Sequence, residues 1–139
     1  DILNEPADLL KVPLLLRLGG PAHPNWEDWF EKANVRDTLP TEGTRFPDTN
    51  MALQAAMEGQ GVALARSAHV GDDLKAGDLV RLFDIDYPSG VSYYLVCPET
   101  NKNQPKVAAF RKWLLAEAAM VQDEYDKTTG VVLKRVKAN

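Results

Sequence analysis

Residues 46–68 read FPDTNMALQAAMEGQGVALARSA, and the order of side chains in this stretch decides the fold class. Asp48 or Thr49 stands where a short oxygen-bearing side chain caps the start of a helix. The helix carries Met51, Ala52, Leu53, Ala55, Ala56 and Met57 and runs to about Glu58. Gly59 and Gly61 then flank a tight turn, because a helix ends readily on residues that tolerate unusual backbone angles. Val62 to Ala65 follows as a short apolar run of the kind buried in a sheet. The spacing therefore predicts a helix, a tight turn and a buried strand in direct succession.

Upstream, residues 6–18 (PADLLKVPLLLRL) hold a turn-forming stretch and then the apolar run Val12 to Leu16, bounded by Gly19, Gly20 and Pro21. A run of that length stopped by Gly and Pro predicts a buried strand. Trp26, Trp29, Phe30 and Ala33 repeat at i, i+3, i+4 and i+7 behind Asn25, which can cap, with Asp28 in the favourable first turn. That pattern predicts an amphipathic helix with an aromatic face, and residues 36–45 are polar and turn-rich. Downstream, residues 70–78 predict a short helical turn and Leu79 to Phe83 a short strand. Val91 to Pro98 (VSYYLVCP) is rich in β-branched and aromatic residues and predicts a central strand. Pro105 introduces a helix carrying Val107, Phe110, Leu114, Ala118 and Val121. Residues 122–139 mix charges with the short run Val131 to Leu133 and are read as a C-terminal tail, either loosely held or ordered. Strands alternating with helices predict an α/β architecture with a mostly parallel sheet.

Composition narrows the function classes. With 139 residues, 45% hydrophobic and 26% charged, the chain has the proportions of a globular domain rather than a disordered or fibrous one. Sixteen basic against 20 acidic residues leave a net charge of −4, which argues against binding nucleic acid through this chain itself. The apolar runs fall short of the roughly 18–20 residues that cross a bilayer, so no membrane is expected. The single Cys97 rules out an intramolecular disulfide framework and favours a reducing cytoplasm, where one thiol in an apolar strand is a small core residue. A start at Asp1, with neither Met nor a signal segment, reads as a cut piece or a processed product.

No catalytic constellation stands out. His23 and His69 are isolated, without metal-ligand spacing. Ser67 lies in ARSA rather than in a nucleophile elbow, and Cys97 is flanked by Leu95 and Val96, which predicts an inert buried thiol. No enzyme activity, metal or cofactor is expected. Trp26 and Trp29 could wall a ligand or belong to the core, with Trp26, in the first turn, the better ligand candidate. The helix starting near Thr49 offers backbone N–H groups to an anion, with Thr49 and Asn50 adding short polar side chains. Self-capping by Asp48 or Thr49 is the alternative.

Taken together, MALQAAMEGQGVALA, LVRLFD at 79–84, YYLVCPE at 93–99 and KVAAFRKWLLAEA at 106–118 resemble the C-terminal part of LysR-type transcriptional regulators. The PLL and NWEDWF elements resemble the subgroup that contains the glycine-cleavage activator and the β-lactamase regulator. The resemblance implies a two-lobed effector-binding domain with the type 2 periplasmic-binding-protein-like fold. Residues 1–121 would form a partial domain, in which 12–83 make a complete second lobe and 91–121 the return into a first lobe only partly present. It also implies a small-molecule effector contacted by Asp48, Thr49, Asn50, Arg17 and Tyr93, to which the residue reading adds Trp26 and a carboxylate or amino-acid-like chemistry. A homo-oligomer is implied as well, and the near-continuous apolar surface of the 50–58 helix places its interface at Met51, Ala52, Ala55 and Ala56. DNA would be reached only through an N-terminal helix-turn-helix absent here. The alternative is a solute-binding domain of a transport system, which would share the fold.

Overall fold

The computed structural model describes residues 3–19, 25–37, 42–86, 93–125 and 129–134, and for residues 121–125 and 129–134 the backbone alone. The chain divides into two units, one formed by residues 1–89 with 128–139 and the other by residues 90–127.

The first unit is built on a five-stranded sheet. Its strands are β1 (Leu14–Arg17), β2 (Arg45–Phe46), β3 (Val62–Arg66), β4 (Val80–Arg81) and β5 (Thr129–Lys134), in the spatial order β2-β1-β3-β5-β4. β1 pairs in parallel with both β2 and β3, matching Leu14 with Val62 and Leu15 with Ala63. β5 runs antiparallel between β3 and β4, pairing Ala63 with Leu133 and Val80 with Lys134. Three helices link the strands: α1 (Trp26–Lys32), α2 (Thr49–Met57) and α3 (Ser67–Ala76).

Local chemistry explains the helix ends. The Asn25 side chain accepts the Asp28 backbone N–H at 2.7 Å, so α1 starts where a capping side chain is available. The Asp48 carboxylate accepts the Met51 N–H at 3.0 Å and opens α2 in the same way. Gly59, with φ of 76°, supplies the left-handed turn after α2, and Gly77, with φ of 77°, caps α3.

Strand alternation divides the core in two. Leu15, Ala63 and Ala65 point to one face and pack with Ala52, Leu53, Ala55 and Ala56 of α2 and with Val70 of α3. Leu14 and Val62 point to the other, where they meet Leu9, Trp26, Trp29 and Phe30. Ring centroids 5.3–6.1 Å apart join the three aromatics of α1. α1 therefore covers one face of the sheet, while α2 and α3 cover the other.

Several elements depart from the sequence reading. The turn predicted at 70–78 is a ten-residue helix beginning at Ser67. β2 begins at the last residue of the turn-rich stretch. Residues 129–134 form a strand held by neighbours on both sides.

In the second unit, α4 spans Pro105–Tyr125, and the rings of Phe110 and Trp113 lie 5.7 Å apart. The strand predicted at 91–98 is not formed over its described part, residues 93–98, which pair with no strand. Tyr94 and Val96 are 82% and 83% exposed, and Cys97 is exposed rather than buried. A strand is sustained by its neighbours' hydrogen bonds, and this unit has no other strand among its described residues.

Candidate functional site

The strand order concentrates polar groups at one end of the sheet. In the order β2-β1-β3, the connection from β1 leads to α1 on one face and that from β3 leads to α3 on the other. In open α/β sheets ligands bind beyond the carboxyl ends of two such strands. Arg17 ends β1 and Arg66 ends β3.

Arg17 follows Leu15 by two residues, so it projects to the face covered by α2 and α3. Its Nε and Nη1 are buried and meet no acceptor among the described residues. Buried guanidinium nitrogens are costly unless hydrogen-bonded, which makes Arg17 a candidate contact for an anion. His69, the third residue of α3, is exposed but partly screened from water. Desolvation, then the charges of Arg66 and Arg17, hold its pKa below the usual 6.5. The three groups are therefore electrostatic neighbours.

The sequence-derived candidates divide between this end of the sheet, the core and the second unit. Asp48, Thr49 and Asn50 lie at the start of α2, directly after β2 and at the same end of the sheet as Arg17. The Asp48 carboxylate is committed to capping, which favours the self-capping alternative for that helix. Trp26 does not wall a ligand. It is 7% exposed, its indole N–H donates to the Leu15 carbonyl at 3.1 Å, and its ring stacks within the aromatic core. A buried indole with a backbone acceptor in reach has its polar atom satisfied and its area packed. Tyr93 belongs to the second unit, where it is 76% exposed.

The interface expected on α2 is also corrected. Ala52, Ala55 and Ala56 are buried against Leu15, Ala63 and Ala65, so the chain's own sheet covers them, while Met51 stays half-exposed. Their small size permits the helix to lie close on the strands. His23 lies outside the described residues. Sequence reasoning missed Arg66 and His69 as neighbours of Arg17, since only the parallel pairing of β1 and β3 brings them together. Among the described residues no group of three or more His, Cys, Asp or Glu side chains could hold a metal.

The sequence profile named LysR substrate binding domain matches residues 3–119. The chain belongs to the LysR substrate-binding domain family. It is 35% identical over 123 residues to the glycine cleavage system transcriptional activator of Escherichia coli K12, covering 88% of this chain and 39% of that protein. It is 34% identical over 119 residues to the HTH-type transcriptional activator AmpR of Pseudomonas aeruginosa, covering 85% and 39%. The effector domain of that AmpR superposes with a TM-score of 0.68 at 34% identity, over 85% of this chain and 56% of the other. The chain thus spans about two-fifths of the length of these regulators. It is a LysR-type effector-binding domain with the type 2 periplasmic-binding-protein-like fold. The relatives named here are transcriptional activators, which are not enzymes, and they lend no support to the transport reading. Among the described residues no helix is long and apolar enough to cross a membrane.

Proposed function

We propose that this chain senses the effector of a cytoplasmic bacterial transcription regulator. In this reading a small anionic molecule, a carboxylate or amino-acid-like compound, binds at the carboxyl end of β1 and β3 without being transformed. Binding favours one arrangement of a homo-oligomer over another, and DNA is contacted through a helix-turn-helix outside these 139 residues. The acidic balance of the chain supports that division of labour.

The observation that carries the reading is Arg17 at the end of β1, whose buried Nε and Nη1 meet no acceptor among the described residues. Thr49 and Asn50 supply further hydrogen-bonding groups from α2. The test is calorimetric titration of glycine, other amino acids and short carboxylates onto the protein and its Arg17→Gln variant. At least one of these ligands should bind, with affinity at least tenfold weaker in the variant. Equal affinity in the two proteins would remove Arg17 from the site, and no binding across the panel would sink the carboxylate class.

A further inference from the structure

We propose that Arg81 is a hinge anchor: it fixes, at one residue, the bases of both connections that join the two units, and so limits how freely the second unit moves against the first. This holds whatever the effector is.

The chain leaves the first unit after residue 89 and re-enters it at residue 128. On the way out, residues 82–86 form no strand, yet the alternation Phe83, Asp84, Ile85, Asp86 gives them an apolar set and an acidic set. Phe83 and Ile85 pack against the aromatic core, where the rings of Phe83 and Trp29 lie 6.1 Å apart. The acidic pair meets Arg81. Its Nη2 donates to the Asp86 carboxylate at 2.7 Å and lies 3.0 Å from that of Asp84, while its Nε donates to the Phe83 carbonyl at 3.0 Å. One side chain therefore grips the backbone and both carboxylates of the outgoing segment.

On the way back the chain enters the sheet as β5, whose register sets Leu133 opposite Arg81 and Lys134 opposite Val80. The backbone of Arg81 thus belongs to the ladder that secures the returning strand, and its side chain secures the departing segment. Only the antiparallel placement of β5 beside β4 brings the two connections to the same residue.

Arginine suits this task because its guanidinium presents several donors in a rigid fork, whereas a lysine offers one flexible ammonium. A lone surface ion pair would hold little, but here one guanidinium, only 22% exposed, binds two carboxylates and a carbonyl as a network. Domain motions are absorbed by a few residues at element ends, so a residue that pins the end of β4 to the segment beyond it restricts where such motion starts. Arg81 is accordingly a positioning residue that acts through the segment it holds.

The test is pulsed dipolar EPR on the whole chain, spin-labelled at Gln54→Cys in α2 and Ala116→Cys in α4, with Cys97→Ser removing the native thiol. All three positions are exposed. Arg81→Gln should widen the distance distribution about 1.5-fold or more. Asp86→Ala should widen it in the same direction, and it carries the test if Arg81→Gln does not fold. Val70→Ala is the control for stability alone, since it removes buried methyl groups from α3 and leaves the Arg81 contacts in place. With urea unfolding showing a loss of stability at least as large as that of the Arg81 variant, it should leave the width unchanged. An unaltered width in Arg81→Gln, or in Asp86→Ala where only that variant folds, would overturn the anchor. Equal widening in Val70→Ala would overturn it too, by assigning the effect to a general loosening of the first unit.

Discussion

Replacing Gly61 with alanine tests whether the close approach of β1 and β3 is as tight as it looks. A Cβ at Gly61 would lie 2.4 Å from the Pro13 carbonyl oxygen and 3.1 and 3.2 Å from the Leu15 side chain. Ordinary carbon–oxygen contact needs about 3.3 Å, so the two segments must separate by roughly 0.9 Å. The obstructing atom is backbone and cannot swing aside as a side chain would. That same carbonyl accepts the Val62 N–H at 2.9 Å, the bond that opens the β1–β3 ladder. Loss of that bond costs about 1 kcal/mol. Overpacking against Leu15 adds about 1–3 kcal/mol, for a total near 2–4 kcal/mol.

Gly59 is the internal control. It lies two residues away at φ of 76°, with open space where its Cβ would be. Gly59→Ala therefore meets only left-handed backbone strain of about 1–2 kcal/mol, and Gly59→Asn less, because Asn tolerates that conformation. Urea unfolding followed by the fluorescence of buried Trp26 and Trp29 reads the difference. With a slope of about 2 kcal/mol per molar, Gly61→Ala should lower the midpoint by roughly 1–2 M at unchanged slope. A Gly61→Ala variant no less stable than Gly59→Ala would refute the steric argument.

Three further outcomes follow from particular contacts. Ala56 is fully buried in the chain's own core, so Ala56→Glu should cost more than about 3 kcal/mol and unfold the domain, whereas Met51→Glu, at a half-exposed site, should stay within about 0.5 kcal/mol; matched denaturation curves would decide. The Asp8 carboxyl is pulled down to about 2 by the Lys11 ammonium and the N–H groups of Asn4 and Glu5. A depressed carboxylate stabilises the fold above its ordinary 3.8 and ceases to do so as pH falls towards 2, so Asp8→Asn should flatten the stability profile in that window, and an unchanged acid limb would count against the contact. The His69 imidazole should titrate below 6.5 by NMR, and Arg66→Gln should raise its midpoint; because the folded protein holds this proton less tightly, stability falls as pH drops below about 6.5. A midpoint unmoved by Arg66→Gln would separate the two groups.

What the sequence by itself determined rests on near-neighbour physics. Caps act over three residues and amphipathic spacing over one or two turns, so Asn25 and Asp48 place the starts of α1 and α2, and residues 59–65 are legible as turn and strand. The resemblance carried by several such stretches was sufficient for the family and for the α/β class. Arg17 was visible as a candidate, but its company was not. Arg66 and His69 lie some 50 residues away, and only the parallel pairing of β1 with β3 places them together.

Strand pairing decided the rest, since a strand is made by its partners as much as by its composition. The polar pair Arg45–Phe46 becomes β2 because β1 offers it hydrogen bonds, and residues 129–134 become β5 because β3 and β4 leave a place between them. The far more strand-like YYLVC at 93–97 meets no strand among the described residues of its unit and stays exposed. Burial likewise reassigned Trp26 and the alanines of α2 from ligand and interface roles to the core, because the same apolar character serves either purpose until the packing is known.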